Sequence, residues 1–183
     1  MVETAIFLAE GFEEVEALTV VDLLRRAGFS YRMISIDDAE TVTGSHGIEV
    51  RADERLSDIH FDMFDMLILP GGMPGTKHLA ACRVLTDGLR EFYRDGGYIS
   101  AICAAPTVFG SLGLLEGKRA CCYPGMEDGL KGAVVTQDEV TKDGNIITSR
   151  GLGTAIPFAL KIIEALGDPD ADVEMAKKIV YRQ

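Results

Sequence analysis

The chain has 183 residues, 47% of them hydrophobic and 26% charged, which fits one globular domain and excludes disorder, collagen and coiled coil as whole-chain descriptions. Its 29 acidic residues against 18 basic ones give a formal net charge of -11, a field that repels nucleic-acid phosphates and anionic membranes. At this length folding buries roughly 70% of the surface that the unfolded chain exposes, so a full core needs neither disulfides nor structural metal.

The elements alternate along the chain. An apolar run over 5–9 ends at Gly11 and reads as a buried strand. Positions 13–27 carry Val15, Leu18, Val21 and Leu24 at helical spacing. Early acids and the late bases Arg25 and Arg26 suit the helix dipole, and Gly28 is a C-terminal stop. A strand is expected over 29–36 and an irregular hairpin over 42–50, broken at Gly44 and Gly47. The strand 66–69 is closed by Pro70-Gly71-Gly72. A helix over 84–94 leads through Gly96-Gly97 into the strand 98–102, and 105–112 reads as helical. Short strands are expected over 119–122 and 133–135, with a hairpin over 140–149 about Asp143-Gly144. Helices over 154–166 and 171–181 finish the chain. This alternation argues for a mostly parallel sheet covered on both faces, with its ligand site at the carboxyl ends of the strands.

The start, Met1-Val2-Glu3-Thr4, lacks a basic n-region and a long apolar h-region, and no stretch reaches the ~18 apolar residues of a membrane span. A cytoplasmic location is therefore expected, without a membrane or nucleic-acid partner. There Cys82, Cys103, Cys121 and Cys122 should be reduced. They form no C-x-x-C, and His46, His60 and His78 are scattered, so no metal is expected. Adjacent Cys121 and Cys122 on a strand would face opposite ways.

Three segments should meet at the strand ends: Gly11 to Glu16, Pro70-Gly71-Gly72 and Cys103-Ala104-Ala105-Pro106. Cys103 directly follows a strand and precedes a helix, as a nucleophile elbow does. Its small neighbours permit a tight turn, and Pro106 suits a first helical turn. Unpaired N–H groups there would lower the thiol pKa; the alternative reading is a buried core cysteine. Glu16 serves such a thiol only if it turns inward and holds a proton; otherwise it is a surface glutamate near a helix start. Gly71-Gly72 can present bare backbone N–H groups as an oxyanion hole requires, or simply end a strand. Gly71 to Lys77 lacks the P-loop order, and Gly151-Leu152-Gly153 lacks the third glycine and the second βαβ unit of a dinucleotide site.

In these pieces the sequence resembles the ThiJ/PfpI superfamily, and within it the subfamily of the Parkinson-disease-associated protein deglycase. The matching stretches are Glu13-Glu14-Val15-Glu16, Arg25-Arg26-Ala27-Gly28, Leu69-Pro70-Gly71-Gly72, Ala101-Ile102-Cys103-Ala104-Ala105-Pro106 and Thr148-Ser149-Arg150-Gly151, in family order across nearly the whole chain. The resemblance implies a single domain over 1–183 with a flavodoxin-like, three-layer α/β sandwich of the class I glutamine amidotransferase-like kind, and a homodimer. It makes Cys103 the nucleophile and Glu16 its protonated partner, and gives Gly71, Gly72 and Ala104 backbone roles in an oxyanion pocket. Glu13, Arg26, His46, Tyr123 and Arg150 fall in the pocket or at the dimer interface.

Two departures bear on chemistry. Tyr123 stands where many relatives carry histidine, and a phenol with a reference pKa of about 10 shuttles protons poorly at neutral pH. Ala104 stands where the peptidase-like branch has histidine directly after cysteine, which disfavours a peptidase. The implied activity is cofactor-free: glyoxalase III-like or deglycase chemistry on methylglyoxal and its protein adducts, with a small aldehyde or glycated substrate. The rival reading is a non-catalytic redox sensor or chaperone acting through oxidation of Cys103 to sulfinic acid.

Overall fold

The computed structural model describes residues 2–182. Strand β1 (Glu3–Leu8) leads into helix α1 (Glu14–Ala27), β2 (Ser30–Ser35), the short strands β3 (Thr41–Thr43), β4 (Glu49–Arg51) and β5 (Glu54–Arg55), and then β6 (Met66–Leu69). Helices α2 (Gly75–Ala81) and α3 (Arg83–Arg94) precede β7 (Tyr98–Ile102) and α4 (Pro106–Ser111). The rest is β8 (Arg119–Ala120), β9 (Val134–Val135), β10 (Val140–Asp143), β11 (Ile146–Ser149), α5 (Ala155–Leu166) and α6 (Ala171–Lys178).

A seven-stranded sheet runs in the order β10-β11-β7-β6-β1-β2-β5. All its pairings are parallel except the β10–β11 hairpin. Its five main parallel strands, β2-β1-β6-β7-β11, follow the flavodoxin-like order, in which the chain reverses direction between β1 and β6. Side-chain alternation assigns the layers. Ala5, Phe7, Leu67, Leu69, Ile99 and Ala101 pack with Leu79, Leu89 and Phe109 of α2 to α4. Ile6, Leu8, Met66, Ile68, Ile102 and Ile147 pack with Leu24, Phe158 and Ile162 of α1 and α5. The expected three-layer α/β sandwich is therefore present.

Local signals placed most elements. Gly28 adopts φ 79°, and its N–H caps α1 on the carbonyls of Leu24 and Arg25. The 140–149 hairpin forms with Gly144 at φ 61°. Helix α2 lay outside the expectations because Gly75-Thr76 are weak helix formers, yet Gly75 is needed where its backbone meets Gly11 and Phe12. Strand β8 stops at Ala120 rather than 122. Cys121 and Cys122 are buried all the same: Cys121 bonds through N and Sγ to Thr148, while Cys122 joins the core under α4. The last helix ends at Lys178, short of 181.

Gly110 in α4 separates packing from propensity. Replacing a helical glycine by alanine ordinarily stabilises, by about 0.5–1 kcal/mol. Here the added Cβ would overlap the Gly129 carbonyl oxygen, a backbone atom. We expect Gly110→Ala to lower the melting temperature, by about 1–3 kcal/mol of overpacking in urea titration; a rise would show that the 127–129 turn yields freely.

Candidate active site

The carboxyl ends of β1, β6 and β7 converge where the strand order reverses. Glu13 N–H donates to the Gly71 carbonyl at 2.9 Å, tying the loop after β1 to the loop after β6. Cys103 stands next to them with φ +64°, a left-handed conformation that costs a non-glycine residue roughly 1–2 kcal/mol. Neighbouring backbone holds it there: Cys103 N–H donates to Ser149 O at 3.0 Å, and Cys103 O accepts from Tyr123 N–H at 2.8 Å. Ala105 N–H closes the turn on Ile102 O at 3.1 Å, and Pro106 opens α4. The expected elbow is thus formed, and its thiol is only partly buried.

Glu16 turns inward from α1 and is 1% exposed. Its Oε2 accepts the Gly71 N–H at 2.9 Å, and its carboxyl pairs with the Cys103 thiol. Gly71 makes this approach possible, since a Cβ there would lie 2.5 Å from Cys103 Cβ and 2.6 Å from Glu16 Oε2. The oxyanion assignment changes in consequence. The Gly71 amide is taken up by Glu16, whereas the amides of Gly72 and Ala104 point to the Cys103 sulfur and make no backbone hydrogen bond among the described residues. Two donors, not three, face the reacting atom.

Burial sets the electrostatics of the pair. It pushes Glu16 up to about 7, against hydrogen bonds from Cys103 and Gly71 that lower it, with Glu13's charge adding to the rise. It pushes the Cys103 thiol up to about 12, with the charge and hydrogen bond of Glu16 adding to it and the Ala104 and Gly72 amides opposing. The direction for the thiol is opposite to the sequence expectation: desolvation and a neighbouring carboxylate outweigh the N–H groups of the turn. The two groups titrate as a unit. Above about 7 the pair carries one negative charge and one proton, and a thiolate forms when that proton resides on Glu16.

Glu13, Glu14 and His46 form a second group, with ligand-type atoms within 4.8 Å of one another. Scattered histidines in the sequence did not foretell it. Glu14, 2% exposed, accepts the His46 N–H at 2.7 Å and pairs with His46 Nδ1 at 2.9 Å. Burial alone would raise the Glu14 carboxyl, but its hydrogen bonds from His46 and Ile48 outweigh this and hold it at about 2. Those bonds staple α1 to the β3–β4 turn, where Gly44 leaves room for the carboxylate. His46 Nδ1 also lies 3.5 Å from Glu13 Oε2, and its hydrogen bond to Glu14, with the charges of both carboxylates, raises the imidazole pKa.

The remaining candidates separate. Tyr123 is exposed, and its ring borders Gly151, whose Cβ direction also points toward Glu16 Oε1. Arg150 donates to Gln137 O at 3.4 Å, and its charge opposes the rise of the buried Cys122 thiol, which burial pushes up to about 11. Arg26 is exposed on α1, paired with Asp22 at 2.6 Å and away from the thiol.

Known proteins resemble this chain over nearly its whole length. The model of the DJ-1/PfpI family matches residues 2–165. Protein DJ-1 homolog B of Arabidopsis thaliana is 40% identical over 177 residues; the match takes in 96% of this chain and 40% of that longer protein, so the chain spans less than half of that relative. The Parkinson disease protein 7 homolog of Danio rerio is 32% identical, covering 97% of this chain and 96% of that one. A Caenorhabditis elegans protein named glutathione-independent glyoxalase DJR-1.2 is 34% identical, covering 93% and 91%. The solved structure of oxidized Toxoplasma gondii DJ-1 superposes with a TM-score of 0.95 at 35% identity over 100% of both chains.

Titration of the pair gives a direct test. Alkylation of Cys103 by limiting iodoacetamide should precede that of Cys82, Cys121 and Cys122, and its rate should rise with pH through about 7, where Glu16 titrates. Glu16→Gln should erase that inflection and, by removing the charge that holds the thiol up, leave labelling that climbs with pH as one isolated thiol ionises. An unchanged inflection in Glu16→Gln would remove Glu16 from the pair.

Proposed function

The chain belongs to the DJ-1/PfpI family, and from that premise we propose that it is a cofactor-independent, cysteine-dependent stress-response enzyme acting on methylglyoxal and related aldehydes. The observation that carries this reading is the Glu16–Cys103 pair facing two unused amides on a strained turn. A relative named as a glutathione-independent glyoxalase adds support.

The proposed reaction balances without an external oxidant. In the singly charged pair, the proton rests on Glu16 while the Cys103 sulfur adds to the aldehyde carbon. The new alkoxide faces the Gly72 and Ala104 N–H groups, and Glu16 returns its proton to give the hemithioacetal. The Glu16 carboxylate then takes the proton on C1, leaving an enediol, and returns it to C2, while the hydroxyl proton on the C1 oxygen passes to the C2 oxygen. One carbon is oxidised and its neighbour reduced, so a hydroxyacyl thioester results. Water cleaves the thioester, releasing lactate and the free thiol. Tyr123, exposed beside Gly151, would donate a hydrogen bond to a substrate oxygen in this scheme. Deglycase action on glycated groups would begin with the same addition. The sensor reading rests on the same two amides, which would also hold sulfinate oxygens after oxidation of Cys103.

Lactate production from methylglyoxal tests the reading. Purified protein should form lactate without glutathione, at a rate that rises through pH of about 7. Cys103→Ser should abolish it, and Glu16→Gln should lower turnover by about a hundredfold or more, the usual scale for a lost general base. No lactate from the wild type, with Cys103 still the first thiol oxidised by mild peroxide, would favour the sensor.

We also propose a homodimer formed through α1. Val15, Leu18 and Ile48 are 45%, 36% and 53% exposed around a shallow depression that Ile156 and Ile179 also line, with Asp22 and Arg26 beside them. Contiguous exposed apolar surface with a charged margin is interface chemistry. Sedimentation equilibrium at micromolar concentration should give a two-chain species, and Leu18→Glu should convert it to one chain without loss of fold. A monomeric wild type would withdraw the assignment.

A further inference from the structure

A large cavity lies at the opposite end of the sheet from Cys103. It measures about 840 Å3 and opens where Val2, Asp65 and Gly97 precede β1, β6 and β7. The 59–64 segment, α3 and the end of α5 complete its walls. Nothing in the Glu16–Cys103 chemistry uses it.

Its inner wall is aromatic, from Phe61, Phe64, Phe92 and Tyr98. Two glycines set the position of two of these rings. A Cβ on Gly88, within α3, would overlap the Phe61 ring, and one on Gly97 would overlap the Phe92 ring. Neither glycine has positive φ, so the backbone does not require them. A mid-helix glycine costs about 1 kcal/mol relative to alanine, and at Gly88 that cost accompanies the seating of a cavity wall.

The rim is acidic. Asp62, Asp65, Glu91 and Asp95 line it, with no lysine or arginine among the lining residues. Asp95 pairs with Arg94 and Asp65 accepts the Glu3 N–H, but Asp62 and Glu91 have no ion pair or side-chain hydrogen bond among the described residues. The same rings attract cations from outside: the Arg32 guanidinium lies 5.6 Å from the Phe64 ring and the Lys142 ammonium 5.9 Å from the Tyr98 ring. An anion would meet uncompensated carboxylates, and a neutral apolar ligand would leave them unused.

We infer that this cavity is a binding site for a linear aliphatic polyamine. Its ammonium groups meet the rim carboxylates, and its methylenes lie along the aromatic wall. The site is independent of the thiol chemistry, so Cys103→Ser binds as the wild type does.

The test is calorimetric titration with spermidine at physiological salt, paired with amide chemical-shift mapping. We expect saturable binding, with shifts confined to the cavity walls at 2–4, 59–66, 88–98 and 165–166. Asp62→Asn/Glu91→Gln should weaken it by roughly five- to tenfold, the scale of two partly screened charge pairs. Glu40→Gln/Glu49→Gln, with the same change in net charge elsewhere on the surface, should leave it unchanged. 1,6-Hexanediol, which keeps methylenes and lacks charge, should not bind comparably. Equal weakening by both variant pairs would reduce the effect to bulk attraction by an acidic protein and overturn the site. Shifts centred elsewhere, absent saturation, or equal binding of the diol would overturn it as well.

Discussion

Three segments from three strand ends can converge on one sulfur only because one of them presents no side chain. A Cβ at Gly71 would sit 2.5 Å from Cys103 Cβ and 2.6 Å from Glu16 Oε2. Its absence lets the carboxyl of α1 reach across the β6 loop, and the buried Gly71 amide then fixes the carboxyl by a 2.9 Å hydrogen bond. The same loop supplies Gly72, whose φ of +93° turns its amide toward the sulfur. Orientation of the acid, approach of the thiol and direction of one oxyanion donor thus follow from two consecutive glycines.

Two glutamates in the first turn of α1 show how environment divides one residue type into two roles. Glu14 and Glu16 are 2% and 1% exposed. Glu14 meets two backbone N–H groups and the His46 imidazole, and is held at about 2, permanently charged. Glu16 meets one backbone N–H, a thiol and the charge of Glu13, and burial carries it to about 7. Glu14 has more donors and lies nearer the surface than Glu16, and both differences part the two groups. Glu14 anchors the helix, and Glu16 is left free to exchange a proton.

Much of this was legible in the sequence, for local reasons. Alternating apolar runs and amphipathic stretches gave the sandwich, Gly28 stopped α1, and Cys103 between a strand and Pro106 marked the elbow. What escaped depends on contacts between distant segments. Helix α2 contradicts its own weak propensity because Gly75 packs on Gly11. The Gly71 amide looked like an oxyanion donor until the Glu16 carboxyl was seen to occupy it. The Glu13–Glu14–His46 group joins positions 32 residues apart. Gly88 and Gly97 read as a helix fault and a loop; only the rings of Phe61 and Phe92 give them a reason.

The source of thiol activation is the sharpest of these differences. A strand-to-helix turn suggests activation by the helix dipole, but α4 has only six residues, and the dipole acts through its terminal N–H groups within one turn. Against it stand burial and a carboxylate at contact distance, which hold the thiol up to about 12. A sulfur in that state is unreactive toward passing electrophiles until its proton has somewhere to go. Glu16, poised at about 7 and hydrogen-bonded to the sulfur, is the group within reach of that proton. In the proposed chemistry, proton position within the pair would therefore gate reactivity, and the Gly72 and Ala104 amides, which already favour the thiolate, would stabilise the alkoxide as well.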